Sequence, residues 1–141
     1  DLEKNELPFD NDFFDVVYSK SFIEHFYYPE KIFIEASRVL KKGGKFINLT
    51  PDWEVIYKEF YDDYTHRTPF TANSLKDIYL INGFQNVEVK KFKQLPSLWN
   101  NNFFLKILSE FTRIFSPIIL KKKSKWIRFS KEIMLIGYGE K

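Results

Sequence analysis

The side chains best suited to move a proton are few, because the 141 residues include two histidines and no cysteine. His25 directly follows Glu24, and His66 lies in the polar segment YDDYTHR, where Asp62 and Asp63 could orient its ring. An imidazole titrates near neutral pH and can accept a proton from a hydroxyl group. His66 is therefore the candidate general base. The plainer alternative is that it only bonds the backbone of its own loop.

Two strands and the helix between them must position these residues. The run FDVVY at 14–18 predicts a short strand buried on both faces, because its valines are consecutive, and KFINLT at 45–50 predicts a second strand. The helix between them is predicted to end at Gly43. Such units form parallel sheets, which bind ligands at the carboxyl ends of their strands. The sequence thus predicts a site where residues 19–25 and 50–53 emerge.

Two helices and two strands are predicted further along the chain. They are a helix over 53–61, a helix from Thr71 to Gly83, a strand over 86–92 and a strand over 133–138. Val87 and Val89 alternate with polar residues, so the third strand should have one wetter face. The continuous run IMLIGY predicts that the last strand is buried.

The composition is that of one folded domain, since 44% of the residues are hydrophobic and 19% are aromatic. No run approaches the roughly 20 apolar residues of a membrane-spanning helix, and the acidic start lacks the basic and apolar regions of a signal peptide. We therefore expect a cytoplasmic protein.

The first 51 residues resemble the later half of a class I methyltransferase that uses S-adenosylmethionine, of the group called type 11 methyltransferase domains. The elements that carry the resemblance occur in the family's order and are Asp1, Leu7-Pro8-Phe9, Phe14-Asp15-Val16-Val17, Glu24-His25, Arg38-Val39-Leu40-Lys41-Lys42-Gly43-Gly44 and Thr50-Pro51. The remainder is similar to the family's closing strands and helix.

The resemblance implies an α/β fold, a partial Rossmann-like sheet with strands in the family order 4-5-7-6, the last one antiparallel, and flanking helices. It also shows a gap, because the family's glycine-rich loop has no counterpart before Gly43. We therefore expect residues 1–141 to form a single methyltransferase domain that is incomplete at its N-terminus, with a basic aromatic insertion at 98–131.

The cofactor-binding residues follow from the same resemblance. Asp1 matches the acid that accepts a hydrogen bond from the adenine amino group, and Leu2 the neighbour whose backbone amide faces the ring. Ser19, Lys20 and Ser21 match the strand end that lines the methionine part of S-adenosylmethionine. Without the preceding strands, Asp1 is nearly as well described as a solvated terminal residue.

His25 has two open interpretations, since it matches a residue that either touches the cofactor or merely begins the following helix. Some quinone O-methyltransferases of this kind bind a divalent metal through an acid three residues before the Glu-His pair. That position is Ser21 here, so no metal is expected.

The insertion from residue 98 to 131 has eight basic residues and one acid, Glu110, so it carries +7 and the rest of the chain −4. Its apolar residues repeat at helical spacing; they are Phe103, Phe104, Ile107, Leu108, Phe111, Ile114 and Phe115. Residues 103–128 could lie on an anionic membrane surface, and nucleic acid is not expected as a partner. We favour a helix that covers an acceptor pocket and is followed by a solvated lysine turn.

The sequence as a whole predicts methyl transfer from S-adenosylmethionine to a small-molecule, lipid or sugar acceptor, at oxygen, with His66 as the base. The alternative is a non-catalytic interaction or membrane-surface module built on half of the fold. If the sheet starts at residues 14–18, that strand is an exposed edge and could pair with a second copy of the chain.

Overall fold

A four-stranded mixed sheet forms the centre of the structure, a computed structural model that describes Leu2, residues 4–100 and residues 102–141. Strands β1 to β4 are Phe14–Lys20, Leu40–Pro51, Gln85–Lys93 and Ile133–Glu140. Helices α1 to α5 are Glu30–Val39, Trp53–Ile56, Ala72–Ile81, Phe103–Phe115 and Lys125–Lys131. The strand order is β1-β2-β4-β3, with β1 parallel to β2 and β4 antiparallel to both neighbours. This arrangement confirms the predicted α/β sheet and its 4-5-7-6 order.

The core is an aromatic cluster between the sheet and helices α1 and α3. The rings of Phe33 and Tyr79 meet edge to face with centroids 4.8 Å apart, and Phe33 meets Phe46 at 5.2 Å. The Tyr79 hydroxyl donates to the carbonyls of Phe46 and Gly137 at 3.3 and 3.1 Å. Burial raises the pKa of Tyr79, so its hydroxyl stays protonated and able to donate.

Close packing explains two glycines of β4. A Cβ atom at Gly137 or at Gly139 would lie 2.9 Å from the Tyr79 ring. Each glycine therefore lets the buried ring rest directly on the strand backbone.

The predicted helix after Thr71 is confirmed as α3, and hydrogen bonds at its first turn stabilise it. The Thr71 hydroxyl accepts from the Ser74 amide, and the Ser74 hydroxyl accepts from the Thr71 amide, which together form a capping box. Leu75 and Tyr79 face the core. Gly83 ends the segment with a φ of +83°, a conformation that glycine adopts without strain.

The predicted end of the first helix at Gly43 is wrong, because α1 ends at Val39 and β2 begins at Leu40. Leu40 pairs with Phe14, and the register then jumps to pair Lys45 with Val16. Gly43, with a φ of +78°, therefore lies in a strand bulge and does not cap the helix.

The prediction that β1 is buried on both faces is also wrong. Val17 packs against the core, but Val16 and Tyr18 are 51% and 58% exposed. Within the described residues β1 pairs with β2 alone and forms an edge of the sheet. The expected exposed edge is thus present, and pairing with a second copy stays a prediction.

The predicted helix over 53–61 is shorter than expected. Helix α2 ends at Ile56, and the chain continues through turns into a 3₁₀ helix at Phe60–Asp62. Beyond Ile56 the backbone bonds are of the i to i+3 type, as in the bond from the Glu59 amide to the Ile56 carbonyl. Phe60 is buried, whereas Tyr57 is 52% exposed.

Helix α4 confirms the amphipathic pattern but leaves its apolar side chains open. Asn102 caps it by accepting from the Leu105 amide, and Ser109 is buried against Ser130. The exposed side chains are Phe103, Phe104, Ile107, Leu108, Phe111, Ile114 and Phe115. Within the part of the chain that the structure describes, none of the helices has the length and apolar character needed to span a bilayer.

Candidate functional site

Glu24, His25 and His66 come together at the carboxyl ends of β1 and β2. The first two belong to a 3₁₀ helix at Ile23–His25, just after β1. His66 comes from the loop between α2 and α3, and the two imidazole rings have centroids 4.9 Å apart. Each side chain has one nitrogen or oxygen atom that could bind a metal ion, and these three atoms lie within 4.8 Å of one another. The sequence predicted both histidines as candidates, but it did not predict that they meet.

Backbone bonds hold the His66 loop against the 3₁₀ helix. The amides of Arg67 and Thr68 both donate to the Glu24 carbonyl, at 2.8 and 3.0 Å. The Thr68 hydroxyl also donates to the Phe26 carbonyl at 2.7 Å. These contacts join parts of the chain about forty residues apart and hold the backbone that follows His66 against the 3₁₀ helix.

The hydrogen bond of His66 fixes its tautomer. His66 Nδ1 lies 2.6 Å from the Phe60 carbonyl oxygen, which can only accept. Nδ1 therefore carries a hydrogen, and the neutral ring has its lone pair on Nε2. His66 therefore does bond the backbone of its own loop, but only through Nδ1. Its Nε2 remains available to accept a proton.

The hydrogen bonds of His25 lead to the same tautomer. The Thr65 hydroxyl lies 2.6 Å from Asp63 Oδ1 and 2.9 Å from His25 Nδ1. Hydrogen bonds from Thr65 hold the pKa of Asp63 below its usual range, so the hydroxyl donates to this carboxylate. The hydroxyl has one hydrogen, so Thr65 must accept from His25 Nδ1, and the lone pair of His25 is on Nε2.

The prediction that Asp62 and Asp63 orient the His66 ring is wrong. Asp63 instead accepts a hydrogen bond from Thr65, which contacts His25. Asp63 Oδ2 lies 3.8 Å from His66 Nε2, beyond hydrogen-bond distance. Asp62 lines the wall of the cavity. The carbonyl of Phe60 orients His66, and no side-chain pattern could indicate a backbone contact of this kind.

Glu24 is the member of the site whose importance the sequence did not indicate. Its side chain is 1% exposed. The Thr50 hydroxyl donates to Oε2 at 3.0 Å, but Oε1 has no hydrogen-bond partner in the described structure and lies 4.0 Å from His25 Nε2. Burial raises the pKa of Glu24 despite these neighbours.

The three side chains line a cavity of about 370 Å³. Its wall also carries Ser21, Lys121 and Arg128. Lys121 is only 10% exposed and pairs with Glu59 at 2.6 Å, so the predicted solvated lysine turn is wrong at this residue. The cavity is polar and has charges of both signs.

The predicted cofactor residues are divided between two cavities. Leu2, Ser19 and Lys20 line one of about 390 Å³, whereas Ser21 and His25 line the cavity of Glu24. Ser21 has a φ of +48°, a left-handed conformation that is uncommon for residues other than glycine. Asp1, the predicted adenine ligand, lies outside the described residues.

Residues of both cavities lie at the carboxyl end of β1, where sheets of this kind bind ligands. The chain has five glycines, and none of them lies in the loop that follows β1. The described residues therefore line two cavities at this end of the sheet but include no glycine-rich loop, and their role in binding S-adenosylmethionine stays a prediction.

Residues 1–48 match the model of the family described as "Methyltransferase domain". No curated protein sequence matches the chain. Among solved structures, a SAM-dependent methyltransferase from Thermotoga maritima has a TM-score of 0.61 at 20% identity, over 96% of this chain and 60% of that one.

Two further structures show the same fold. A methyltransferase in complex with the Trm112 activator of Haloferax volcanii has a TM-score of 0.65 at 18% identity, over 96% of this chain and 57% of that one. The phosphoethanolamine N-methyltransferase 2 of Haemonchus contortus, solved with S-adenosyl-L-methionine, has a TM-score of 0.60 at 21% identity, over 94% and 34%.

The chain therefore has the fold of class I S-adenosylmethionine-dependent methyltransferases. Its first 48 residues match the methyltransferase domain family, and the fold extends the likeness through the remainder. Both findings agree with the resemblance seen in the sequence. The chain spans 60% of the Thermotoga protein.

Proposed function

We propose that this chain is part of a methyltransferase that moves a methyl group from S-adenosylmethionine to an oxygen of a small-molecule, lipid or sugar acceptor. One observation carries the proposal. On a methyltransferase fold, two imidazoles with free Nε2 lone pairs and a buried carboxylate meet at the strand ends where such sheets bind ligands.

In this proposal, one cavity would bind the cofactor and the other would bind the methyl acceptor. When bound, S-adenosylmethionine supplies a methyl group activated by a sulfonium charge. Leu2, Ser19 and Lys20 would hold it, while the acceptor would occupy the cavity of Glu24 and His66. A hydroxyl must lose its proton during the transfer, and an imidazole nitrogen with a lone pair can receive it. The role of His66 as that base stays a prediction.

Calorimetric titration with S-adenosylmethionine tests the proposal on this chain and on the complete gene product that contains it. We expect binding by the complete product, with product formation from radiolabelled S-adenosylmethionine and a hydroxyl panel of a phenol, a hexose and a long-chain alcohol. Binding by neither protein would contradict the proposal. Labelling only of amines, such as phosphoethanolamine, would retain the enzyme class and overturn the oxygen acceptor.

We also propose that α4 lies on an anionic membrane surface, which would place a cytoplasmic protein at the membrane. Phe104 and Phe115 are 80% and 66% exposed, and the surrounding segment carries a charge of +7. Exposed apolar side chains on a basic amphipathic helix are typical of interfacial helices. This surface is the observation that favours the alternative function, a membrane-surface module.

Sedimentation with lipid vesicles tests this surface. We expect the protein to sediment with phosphatidylserine vesicles and to stay in solution with phosphatidylcholine alone. Phe104→Asp should weaken the association about tenfold, because it removes one aromatic side chain from the lipid. Ile81→Asp is the matched control, since Ile81 is 82% exposed on α3. Equal sedimentation of both variants would contradict the proposal.

A further inference from the structure

We propose that Glu24, His25 and His66 form a binding site for a divalent transition-metal cation such as Zn²⁺. Two imidazole nitrogens and one carboxylate are a ligand set that proteins use for such ions. The set leaves open coordination positions. Binding itself does not depend on methyl transfer, whereas its consequence for catalysis rests on the proposed function.

Both histidines already present the nitrogen that a metal requires. Each Nδ1 is hydrogen-bonded, one to the Phe60 carbonyl and one to the Thr65 hydroxyl, so each Nε2 has its lone pair free. Metal-binding histidines commonly use their second nitrogen in this way to fix the ring and its tautomer. The Asp63 carboxylate, which accepts from Thr65, strengthens the arrangement around His25.

Glu24 supplies a carboxylate oxygen that has no hydrogen-bond partner in the described structure. Its Oε1 is buried and lacks a hydrogen-bond donor, which is costly for a carboxylate. The two basic side chains of the cavity wall form ion pairs with other carboxylates than that of Glu24. Lys121 pairs with Glu59 at 2.6 Å, and Arg128 pairs with Glu132 at 2.9 Å.

The donor atoms are close enough to be brought together by small movements. One possible ligand atom of each side chain lies within 4.8 Å of the others, and His25 Nε2 lies 4.0 Å from Glu24 Oε1. A zinc ion about 2.1 Å from each ligand atom requires ligand atoms roughly 3.4 Å apart, so the side chains must approach one another by up to about 1.5 Å. His25 and His66 are 30% and 13% exposed, which leaves a path to solvent through the cavity.

A cation here would change the role of His66. A hydroxyl that coordinates a divalent cation would release its proton to solvent more easily, so a cation held by these three residues could activate the acceptor directly. His66 would then be a ligand and could not also be the base. No metal is expected from the sequence alone, because Ser21 stands where some relatives have an acidic ligand. That position is close to Glu24 in the sequence, whereas His66 is distant in sequence.

Titration of the purified chain with Co²⁺ tests the site through the visible absorption of the bound ion. We expect one ion per chain, displaced by Zn²⁺. Glu24→Gln and His66→Gln should each weaken binding by at least about a hundredfold, and Thr65→Val by roughly tenfold. Glu54→Gln is the control, because Glu54 is exposed and pairs with Lys91.

The wild-type protein alone can overturn the inference, so it does not depend on the variants folding. Absence of a Co²⁺ signal and of any Zn²⁺-dependent rise in the melting temperature would contradict it. So would equal binding by wild type and Glu24→Gln. Metal binding without methyl transfer would disprove only the proposed function, and methyl transfer that survives chelation without metal binding would disprove only this inference.

Discussion

Changing His66 to alanine is expected to lower the rate of methyl transfer by the complete gene product about 10²- to 10⁴-fold. The structure gives the reason, because the Nε2 lone pair of His66 faces the site while Nδ1 is held by the Phe60 carbonyl. Loss of the imidazole removes either the proton acceptor or a metal ligand. The rate is measured as the formation of S-adenosylhomocysteine with a hydroxyl acceptor from the panel above.

Lys58→Ala is the matched control for this variant, since Lys58 is exposed in the preceding segment. It should leave the rate unchanged. Affinity for S-adenosylmethionine should be similar in both variants, because Leu2, Ser19 and Lys20 line a different cavity. A rate in the alanine variant within threefold of the wild type would exclude a catalytic role for His66.

Chelation separates the two roles that His66 could have. If it is the base, dialysis against a chelator should leave the wild-type rate unchanged. If it is a ligand, the rate should fall with removal of the metal and return with Zn²⁺ or Co²⁺.

Changing Tyr79 to alanine is expected to reduce the free energy of unfolding by about 3–5 kcal/mol, as for other buried aromatic residues. The Tyr79 ring is fully buried between Phe33 and the backbone of Gly137. The variant would leave a cavity that the rigid strand backbone cannot fill. Urea unfolding followed by circular dichroism gives the value.

Two further variants separate the contribution of the Tyr79 ring to stability from that of its hydroxyl and provide a control. Tyr79→Phe should cost only about 1 kcal/mol, because it removes the hydroxyl bonds to Phe46 and Gly137 but keeps the ring. Tyr64→Ala should change the stability by less than about 0.5 kcal/mol, since Tyr64 is 80% exposed. A cost for Tyr79→Ala close to that of Tyr64→Ala would show that the described core is wrong.

Local signals predicted much of the fold. The cap at Thr71 and the glycine at Gly83 mark α3 because their effects act within one turn of the chain. The strand order came from the family resemblance. The burial of β1 could not be predicted, because consecutive valines are equally compatible with an edge strand such as the one that exposes Val16.

The candidate site was predicted as separate residues but not as a cluster. His25 and His66 are the two histidines of the chain, and His66 stands in a polar segment, which local reasoning can detect. Their meeting depends on bonds from the Arg67 and Thr68 amides to the Glu24 carbonyl, which any sequence could make. The contribution of Glu24 depends on its burial, which is decided by the packing of distant segments.

Those backbone bonds also bear on how the acceptor range of such an enzyme could evolve. Main-chain groups of Phe60, Arg67 and Thr68 hold His66 in place, and the exposed side chain of Asp62 takes no part in those bonds. Mutations at an exposed loop position that lines the cavity, such as Asp62, could reshape the cavity while the reactive group stays fixed. New acceptors could then be sampled one substitution at a time, without first losing the chemistry that selection acts on.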